Sequence, residues 1–409
     1  VYTPPPSFTT QPTNSAVCAG VATSYTVAAD DATSYQWQIS TNGGGNWTNL
    51  SNNSTYTNVT TTTLNISNST GLGSSIYRCV ATGPGGSTNS NAAAITLNPS
   101  TTPPSVGTIT WTGAVNNDWN TPCNWSPASV PTADNDVVIN NVTNDPVVAN
   151  GTTATTGYLS LNSGALLTVN SGGILNVRGN SADGMKLTAA TFTNNGTTDI
   201  QRPGGLPFSA GGIYAPSSAT VNNAGTLTVN ASVYPISNAG TTLTVNNNTG
   251  GILNVINGNA FSSIGAGTPS LNIVNNGVIN VNCTSMSGFK ALTNNGTVNI
   301  NNGGISVLSG KTILNNVCGQ IYVNAGGYSN EGTTTNNGLI RVVNQLYIST
   351  GFTNRGVLKY GTLSGTVTNT TTAAVIVKDS PTPIFTYGGA SFNGTIDGIF
   401  TDSTANTSA

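Results

Sequence analysis

The chain has 409 residues, of which only 5% are charged, against about a quarter in an average soluble protein. Its formal net charge of −2 leaves no basic footprint, which argues against nucleic acid as a partner. It contains no histidine, which excludes Ser-His-Asp and Cys-His catalysis, and no apolar run approaches the length of a membrane span.

The first hundred residues predict a small β-sandwich. Residues 1–8 contain three consecutive prolines and predict a stiff, extended leader. Residues 9–98 then alternate short apolar strands with glycine-rich turns such as Asn42-Gly-Gly-Gly. About seven short strands over this length are typical of an immunoglobulin-like sandwich.

Two motifs within this region resemble immunoglobulin-like domains. Tyr-Gln-Trp37-Gln is similar to the strand that carries the buried tryptophan, and Tyr77-Arg-Cys79 is similar to the tyrosine corner before the second cysteine. The resemblance implies that Trp37 and Tyr77 lie in the sandwich core and that Cys18 pairs with Cys79. In antibody domains the first cysteine stands nearer the tryptophan, at about the place of Tyr25, so two unpaired buried cysteines are the alternative.

Residues 99–108 read as a linker, and residues 109–140 carry three tryptophans that must be buried. A solenoid needs a cap over its first open edge. We therefore predict that residues 109–140 form the cap of the repeat that follows.

Residues 141–400 predict a parallel β-helix, followed by a C-terminal tail at 401–409. From about residue 192 to 358 the chain repeats an apolar strand, an asparagine-glycine corner and an alternating strand, with several corners about 18 to 23 residues apart. Asn and Gly tolerate left-handed backbone angles, and stacked coils would let Asn side chains form ladders. Leucine-rich repeats have a similar period, but their Leu-x-x-Leu-x-Leu spacing is missing. The predicted corners are Gly196, Gly225, Gly240, Gly277, Gly296, Gly319, Gly338 and Gly356.

The sequence offers few groups for catalysis or metal binding, and we predict no enzymatic activity, no cofactor and no metal. Asp134 and Asp136 are the only near-neighbour carboxylates of the solenoid region, and a turn-forming role is favoured over calcium binding. The cysteines lack the Cys-x-x-Cys spacing of a zinc site. Their odd number leaves at least one of Cys123, Cys283 and Cys318 free or bonded to another chain.

The whole arrangement resembles large secreted surface proteins of the Bacteroidetes group. These combine modules carrying Tyr-Gln-Trp-Gln and Tyr-Arg-Cys with Asn-Gly-rich β-helices that open with a Trp-x-Gly…Trp…Asn-Trp…Val-Pro segment. The resemblance implies a β-solenoid and an extracellular location, and it carries over no catalytic residue.

The leading hypothesis is an extracellular structural protein, a repeating subunit of a surface filament, sheath or stalk whose partners are identical subunits joined by non-covalent β contacts. A glycan-binding adhesin is the first alternative, and a β-helix polysaccharide lyase is the second. The tyrosines considered for stacking on sugars are Tyr214, Tyr234, Tyr328, Tyr347 and Tyr360.

Overall fold

The computed structural model describes residues 2–98, 106–179, 183–202, 211–239, 241–263, 270–369, 374–387, 390–399 and 405–407. Within these ranges the chain is all-β apart from one 3-10 turn, Pro122–Asn124. It divides into two compact units: Val1–Thr102 with Ala114–Asn116 and Thr121–Ser129, and Pro103–Gly113 with Asn117–Asn120 and Val130–Ala409. The predicted linker lies mostly outside the described residues, as does most of the predicted tail.

The first unit is the predicted sandwich. Its largest sheet is built around Ser34–Ser40, which pairs antiparallel with Ile76–Gly83, and a three-stranded sheet packs opposite. The strands of this unit are Ser7–Thr10, Ser15–Cys18, Thr23–Thr26, Ala28–Asp30, Ser34–Ser40, Thr48–Asn49, Tyr56–Thr57, Thr63–Ile66, Ile76–Gly83, Gly86–Asn89, Ala93–Asn98 and Trp125–Ser126.

Aromatic rings fill the core of the sandwich. Trp37 and Tyr77 are both completely buried, and the ring of Tyr25 lies 5.2 Å from Tyr77 and 6.3 Å from Trp37 between ring centroids. The indole nitrogen of Trp37 donates to the carbonyl oxygen of Thr61 at 2.9 Å. The polar edge of the tryptophan is therefore satisfied while its rings exclude water.

The disulfide of this unit differs from the one that the resemblance implied. Cys18 is bonded to Cys123, with the two Cα atoms 5.8 Å apart, and Cys79 is a free buried thiol. The prediction of a Cys18–Cys79 bond was wrong because Cys79 lies opposite Trp37 on an inner strand and faces the core. Cys18 instead ends an outer strand that pairs with Ala93–Asn98, where the segment around Cys123 reaches it.

The proline-rich leader lies against its own sandwich. Pro6 is buried, and the carbonyl oxygen of Pro4 lies beside Gly85 so closely that a side chain at Gly85 would collide with it. The first strand, Ser7–Thr10, pairs with Ala28–Asp30. The leader is therefore part of the sandwich rather than a free arm.

The second unit is a three-sided parallel β-helix, which confirms the predicted fold class. Each coil passes through a first, a second and a third face in turn. The first face consists of Gly107–Trp111, Asn135–Ile139, Leu159–Leu161, Met185–Leu187, Gly211–Ala215, Tyr234–Asn238 and Phe261–Ser263. The second face consists of Val147–Val148, Leu166–Val169, Thr191–Asn194, Ala219–Asn223, Leu243–Asn247, Leu271–Asn275, Ala291–Asn294, Thr312–Asn315, Thr333–Asn336, Phe352–Asn354 and Thr366–Asn369. The third face consists of Thr153–Thr156, Ile174–Val177, Thr197–Arg202, Thr226–Ala231, Ile252–Ile256, Val278–Met286, Thr297–Val307, Gln320–Val323, Leu339–Ile348, Val357–Ser364 and Val375–Tyr387.

Beyond Ser263 the first face is continued by the far ends of the long third-face strands. Asn259 forms a parallel bridge with Ser285, and the register then runs from Met286 to Ile305 and on to Tyr328. The short strand Tyr328–Asn330 belongs to this continuation. The remaining strands are Ala390–Ile399, antiparallel to Val375–Tyr387, and Ala405–Thr407, antiparallel to Thr366–Asn369.

The segment predicted as a single cap is divided between the two units. Gly107–Trp111 pairs in parallel with Asn135–Ile139, which pairs with Leu159–Leu161, so these strands are the first rungs of the solenoid. Ala114–Asn116 and Thr121–Ser129 belong to the sandwich unit. Trp111, Trp119 and Trp125 are all buried, as three neighbouring tryptophans require.

Strict alternation sets the solenoid core, because every second side chain of a strand points inward. The register stacks identical positions of successive coils, so one inward position forms a column. On the second face such a column consists of Leu167, Phe192, Val221, Val245, Ile273, Leu292, Ile313, Thr334 and Phe352.

Candidate functional site

The most regular polar feature of the second unit is a ladder of buried asparagines where the second face turns into the third. All eight are fully buried, and seven hydrogen bonds join them in order, each from the side-chain amide nitrogen of one to the amide oxygen of the next at 2.7 to 2.8 Å. We call them the asparagine ladder: Asn194, Asn223, Asn247, Asn275, Asn294, Asn315, Asn336 and Asn354. The ladder predicted from the sequence is therefore present.

Each amide of the ladder uses both of its N–H donors. Asn275, for example, donates one hydrogen to Asn294 and the other to the carbonyl oxygen of Thr297, at the start of the next third-face strand. Its own oxygen accepts from Asn247 at 2.8 Å. A buried amide satisfied in this way costs little, whereas one missing partner would leave a buried polar group unpaired.

The corner glycines form a second column beside the ladder. A Cβ atom at Gly225 would overlap the carbonyl oxygen of Gly196, one at Gly296 that of Gly277, and one at Gly356 that of Gly338. Those carbonyls are bonded to the next coil, as when Thr226 N donates to Gly196 O at 2.8 Å. Successive coils can therefore approach at this corner only because it lacks side chains.

The physical reason for these glycines differs from the predicted one. None of Gly196, Gly225, Gly277, Gly296, Gly319, Gly338 and Gly356 has a left-handed φ. Close backbone approach, and not a special backbone angle, is what requires glycine there. Gly240, the remaining predicted corner, lies outside the described residues.

Asparagine rows also run along the outside. Asn280 donates to Asn254 at 2.9 Å and accepts from Asn299 at 2.9 Å, all three half-buried on the third face. Their hydrogen bonds match those of the inner ladder, but water competes for them. Substitutions in the outer row therefore serve as controls that show how much burial adds to the stabilising effect of the inner ladder.

Ionisable groups are sparse, and they make structural contacts. Arg178 and Asp199 form an ion pair at 2.9 Å on the third face. Burial raises the pKa of Asp183, while the backbone N–H of Gly211 and the charge of Arg202 act in the opposite direction. Asp183 and Arg202 are both almost fully buried. Structural ion pairs perturb pKa values as catalytic groups do, so this shift by itself does not mark a catalytic site.

The candidate calcium ligands do not form a metal site in the part of the chain that the structure describes. No three of His, Cys, Asp and Glu cluster there. The carboxylate of Asp136 accepts from the backbone N–H of Tyr158 at 3.1 Å, and Asp134 is exposed. Asp136 lies within the strand Asn135–Ile139 and this contact joins neighbouring coils, so the turn-forming role of the pair stays a prediction.

A broadly open groove lies on the continuation of the first face. Its cavity volume is about 280 Å³. Two rows of outward positions border it, and we call it the Tyr347 groove. Its lining residues are Ser285, Gly304, Ile305, Ser306, Gly327, Tyr328, Ser329, Gln345 and Tyr347.

The tyrosines considered for sugar stacking differ in exposure. Tyr347 is 44% exposed, Tyr214 and Tyr234 are half-buried, and Tyr328 and Tyr360 are buried at 1%. Tyr328 donates to or accepts from the hydroxyl of Thr334 at 2.8 Å inside the core. Tyr347 is the most exposed of the five, and its side chain borders this groove.

The part of the chain that the structure describes contains no candidate membrane-spanning helix.

Comparisons with known proteins identify only parts of the chain. Residues 110–200 match a family described as a domain of unknown function (DUF8693). The titin M3 domain is 20% identical over 24% of this chain and 100% of that chain, with a TM-score of 0.19. The N-terminal Ig1-2 module of the Drosophila receptor protein tyrosine phosphatase DLAR is 25% identical over 26% of this chain and 61% of that chain, with a TM-score of 0.20. No curated protein matches the chain.

Proposed function

We propose that this protein is an extracellular structural protein, the repeating subunit of a surface filament, sheath or stalk. The observation that carries the proposal is the asparagine ladder, which links eight successive coils through fully buried hydrogen bonds. Repeated nearest-neighbour contacts of this kind build a stiff, one-dimensional element. Such an element suits a mechanical role.

Low charge supports assembly between identical copies. Only 22 of 409 residues are charged (10 Lys and Arg, 12 Asp and Glu), so like-charge repulsion between subunits is weak. Solenoid ends and sheet edges present unpaired backbone groups that can accept a strand from another copy. Heterologous contacts that do not close into a ring propagate into fibres.

The disulfide supports a location outside the cell. The Cys18–Cys123 bond has a normal Cα separation of 5.8 Å and closes a loop between residues 105 apart. Such bonds form and persist mainly in oxidising compartments. The secreted surface proteins that the sequence resembles would fit the same location.

The scarcity of catalytic groups favours the structural role over a lyase. A lyase of this fold would need acidic side chains that hold calcium and a basic side chain that takes a proton. The described part of the chain holds no cluster of three acidic, cysteine or histidine side chains that could bind a metal ion. We therefore propose no reaction for it.

Negative-stain electron microscopy of the purified full chain over a range of concentrations tests the assembly. We expect filaments or sheath fragments whose number rises with concentration and which dissociate in denaturant without reductant. A Cys318→Ser variant serves as the control, because Cys318 is an exposed free thiol that could link chains covalently. Isolated monomers at every concentration, or filaments that vanish in the Cys318→Ser variant, would contradict non-covalent assembly.

A further inference from the structure

We propose that the Tyr347 groove binds a neutral oligosaccharide. The proposal goes beyond the structural role and rests on other residues, so either can fail without the other. Four features of the groove support the proposal: a floor of backbone atoms, an aromatic side wall, hydrogen-bonding groups at the rim, and a lining without charged side chains.

The floor of the groove is bare backbone. Gly304 and Gly327 occupy neighbouring outward positions, and neither offers a side chain. A Cβ atom at Gly304 would overlap the carbonyl oxygen of Gly327, and one at Gly327 would lie 2.9 Å from that of Gln345. The packing of the coils therefore requires both glycines, and the depression they leave is a fixed feature of the fold.

The wall of the groove is the ring of Tyr347. Leu346 and Ile348 on either side point into the core, so strand alternation fixes Tyr347 outward. The face of an aromatic ring carries negative charge density and attracts the weakly positive C–H groups of a pyranose ring. A singly exposed aromatic residue is ordinary on a protein surface, and it becomes informative here because it borders a groove.

The rim supplies hydrogen-bonding groups suited to sugar hydroxyls. Ser306 pairs in register with Ser329, and Ser329 pairs with Tyr347, so three hydroxyls stand in one outward row. Ser285 and Gln345 border the neighbouring row. A few placed polar groups around an apolar wall are typical of ligand sites, and the volume of about 280 Å³ suits one or two sugar rings.

The charge of the lining selects the class of ligand. None of the lining residues is Asp, Glu, Lys or Arg. An acidic sugar would find no cation to offset the loss of its hydration, whereas a neutral sugar exchanges water for hydroxyl and amide partners. The geometry therefore favours neutral over acidic glycans.

Titration of the full chain with defined oligosaccharides tests this site. The neutral probes are cellohexaose, chitohexaose and maltohexaose, and the acidic probe is hexagalacturonate. We expect at least one neutral probe to bind by calorimetry or by ligand-observed NMR, and the acidic probe not to bind.

Two variants in the groove, Tyr347→Ala and Ser329→Trp, and one control outside it, Tyr322→Ala, test where the sugar binds. Tyr347→Ala should weaken the affinity about tenfold, the effect of losing one aromatic stacking contact. Tyr322→Ala is the matched control, because Tyr322 is an outward tyrosine of the third face that does not line the groove, and its affinity should equal that of the wild type. Ser329→Trp, which fills the groove from an outward position, should abolish binding.

Each other outcome overturns the proposal. Binding of no neutral probe removes the site, and equal binding of hexagalacturonate removes the selectivity. Unchanged affinity in Tyr347→Ala or in Ser329→Trp would place any binding elsewhere. Thermal melts of all three variants, expected to match the wild type, show that a loss of affinity is not a loss of fold.

Discussion

Among single residues, the asparagine ladder is the feature on which stability most depends. In Asn275→Leu the amide of Asn247 loses its acceptor and the oxygen of Asn294 loses its donor, both in the dry core. We expect the free energy of unfolding to fall by about 3 kcal/mol, the cost of leaving buried polar groups unpaired. Urea denaturation followed by circular dichroism measures it.

Asn280→Leu is the matched control for that substitution. Asn280 lies in the same coil and has the same pair of amide bonds, to Asn254 and Asn299, but water reaches it. Its loss should cost less than about 1 kcal/mol. Equal costs at the two positions would contradict the view that burial is what makes the inner ladder important.

The sequence predicted that asparagine ladders form, and the structure shows which asparagines form the buried one. In Phe192-Thr-Asn194-Asn-Gly the apolar Phe192 fixes the inward phase, so alternation places Asn194 inward as well. Trp37 and Tyr77 were also predictable as buried core residues, because each stands in a short motif that resembles immunoglobulin-like domains. The pairing of Cys123 with Cys18 could not be predicted from local sequence, because only the tertiary fold brings the two cysteines together.

Among structural elements, the glycine corners allow the coils to stack closely. A Cβ atom at Gly338 would collide with the carbonyl oxygen of Gly319, and backbone atoms on both sides cannot rotate away as a side chain can. We expect Gly338→Ala to lower the free energy of unfolding by more than about 3 kcal/mol. Thermal and urea melts of the purified variant provide the measurement.

Gly310→Ala separates crowding from backbone strain. Gly310 has a left-handed φ of 77°, yet a Cβ atom there would meet nothing within 4 Å. The change should cost about 1 kcal/mol, the conformational penalty alone. If Gly310→Ala were as damaging as Gly338→Ala, close approach would not be the reason for the corner glycines.

The disulfide stabilises the sandwich unit by closing a long loop. The 105-residue separation of Cys18 and Cys123 gives about 4 to 5 kcal/mol in the chain-entropy model. The double variant Cys18→Ser, Cys123→Ser should lose about that much, while Cys318→Ser should change stability by less than about 0.5 kcal/mol.

Thiol labelling checks the pairing itself. Alkylation of the denatured, unreduced chain should modify three cysteines, namely Cys79, Cys283 and Cys318. Labelling of Cys18 or Cys123, or protection of Cys79, would show that the pairing is different.

The solenoid period could be found from the sequence because its corners are marked by asparagine and glycine. The continuation of the first face could not be found from the sequence. It is formed by the far ends of long strands such as Leu339–Ile348, and no residue type marks the point where such a strand passes from the third face to the first. The Tyr347 groove therefore escaped prediction, although Tyr347 itself was considered as a sugar-stacking residue.

For the whole molecule, buried acids predict an unusual dependence of stability on pH. Burial raises the pKa of Cys79 and of Cys283 from 9.0 to about 12, and that of Tyr25 from 10.0 to about 12. The unfolded chain releases these protons first, so the stability that these three groups contribute is fully present below about pH 9 and is lost as the pH rises from about 9 to 12.

The buried aspartates should change stability in the same direction, at acid pH. Burial raises the pKa of Asp145 and of Asp183, so the folded chain binds their protons more readily than the unfolded one, and acidification through this range adds stability. With no histidine to charge, we expect denaturation midpoints at pH 4 no lower than at pH 7, and lower midpoints at pH 10.5. A midpoint that fell in acid and rose in alkali would contradict this. Cys283→Ala should flatten part of the alkaline loss.

Hydrogen exchange of the asparagine side chains tests most directly whether a buried ladder joins the coils. In a chain labelled with ¹⁵N-asparagine and transferred to D₂O, we predict a small set of carboxamide signals that persists long after the others have exchanged, and Asn275→Leu should weaken that set around the substitution. Exchange of every asparagine carboxamide at the rate of a free side chain would contradict the ladder and the structural role proposed on it.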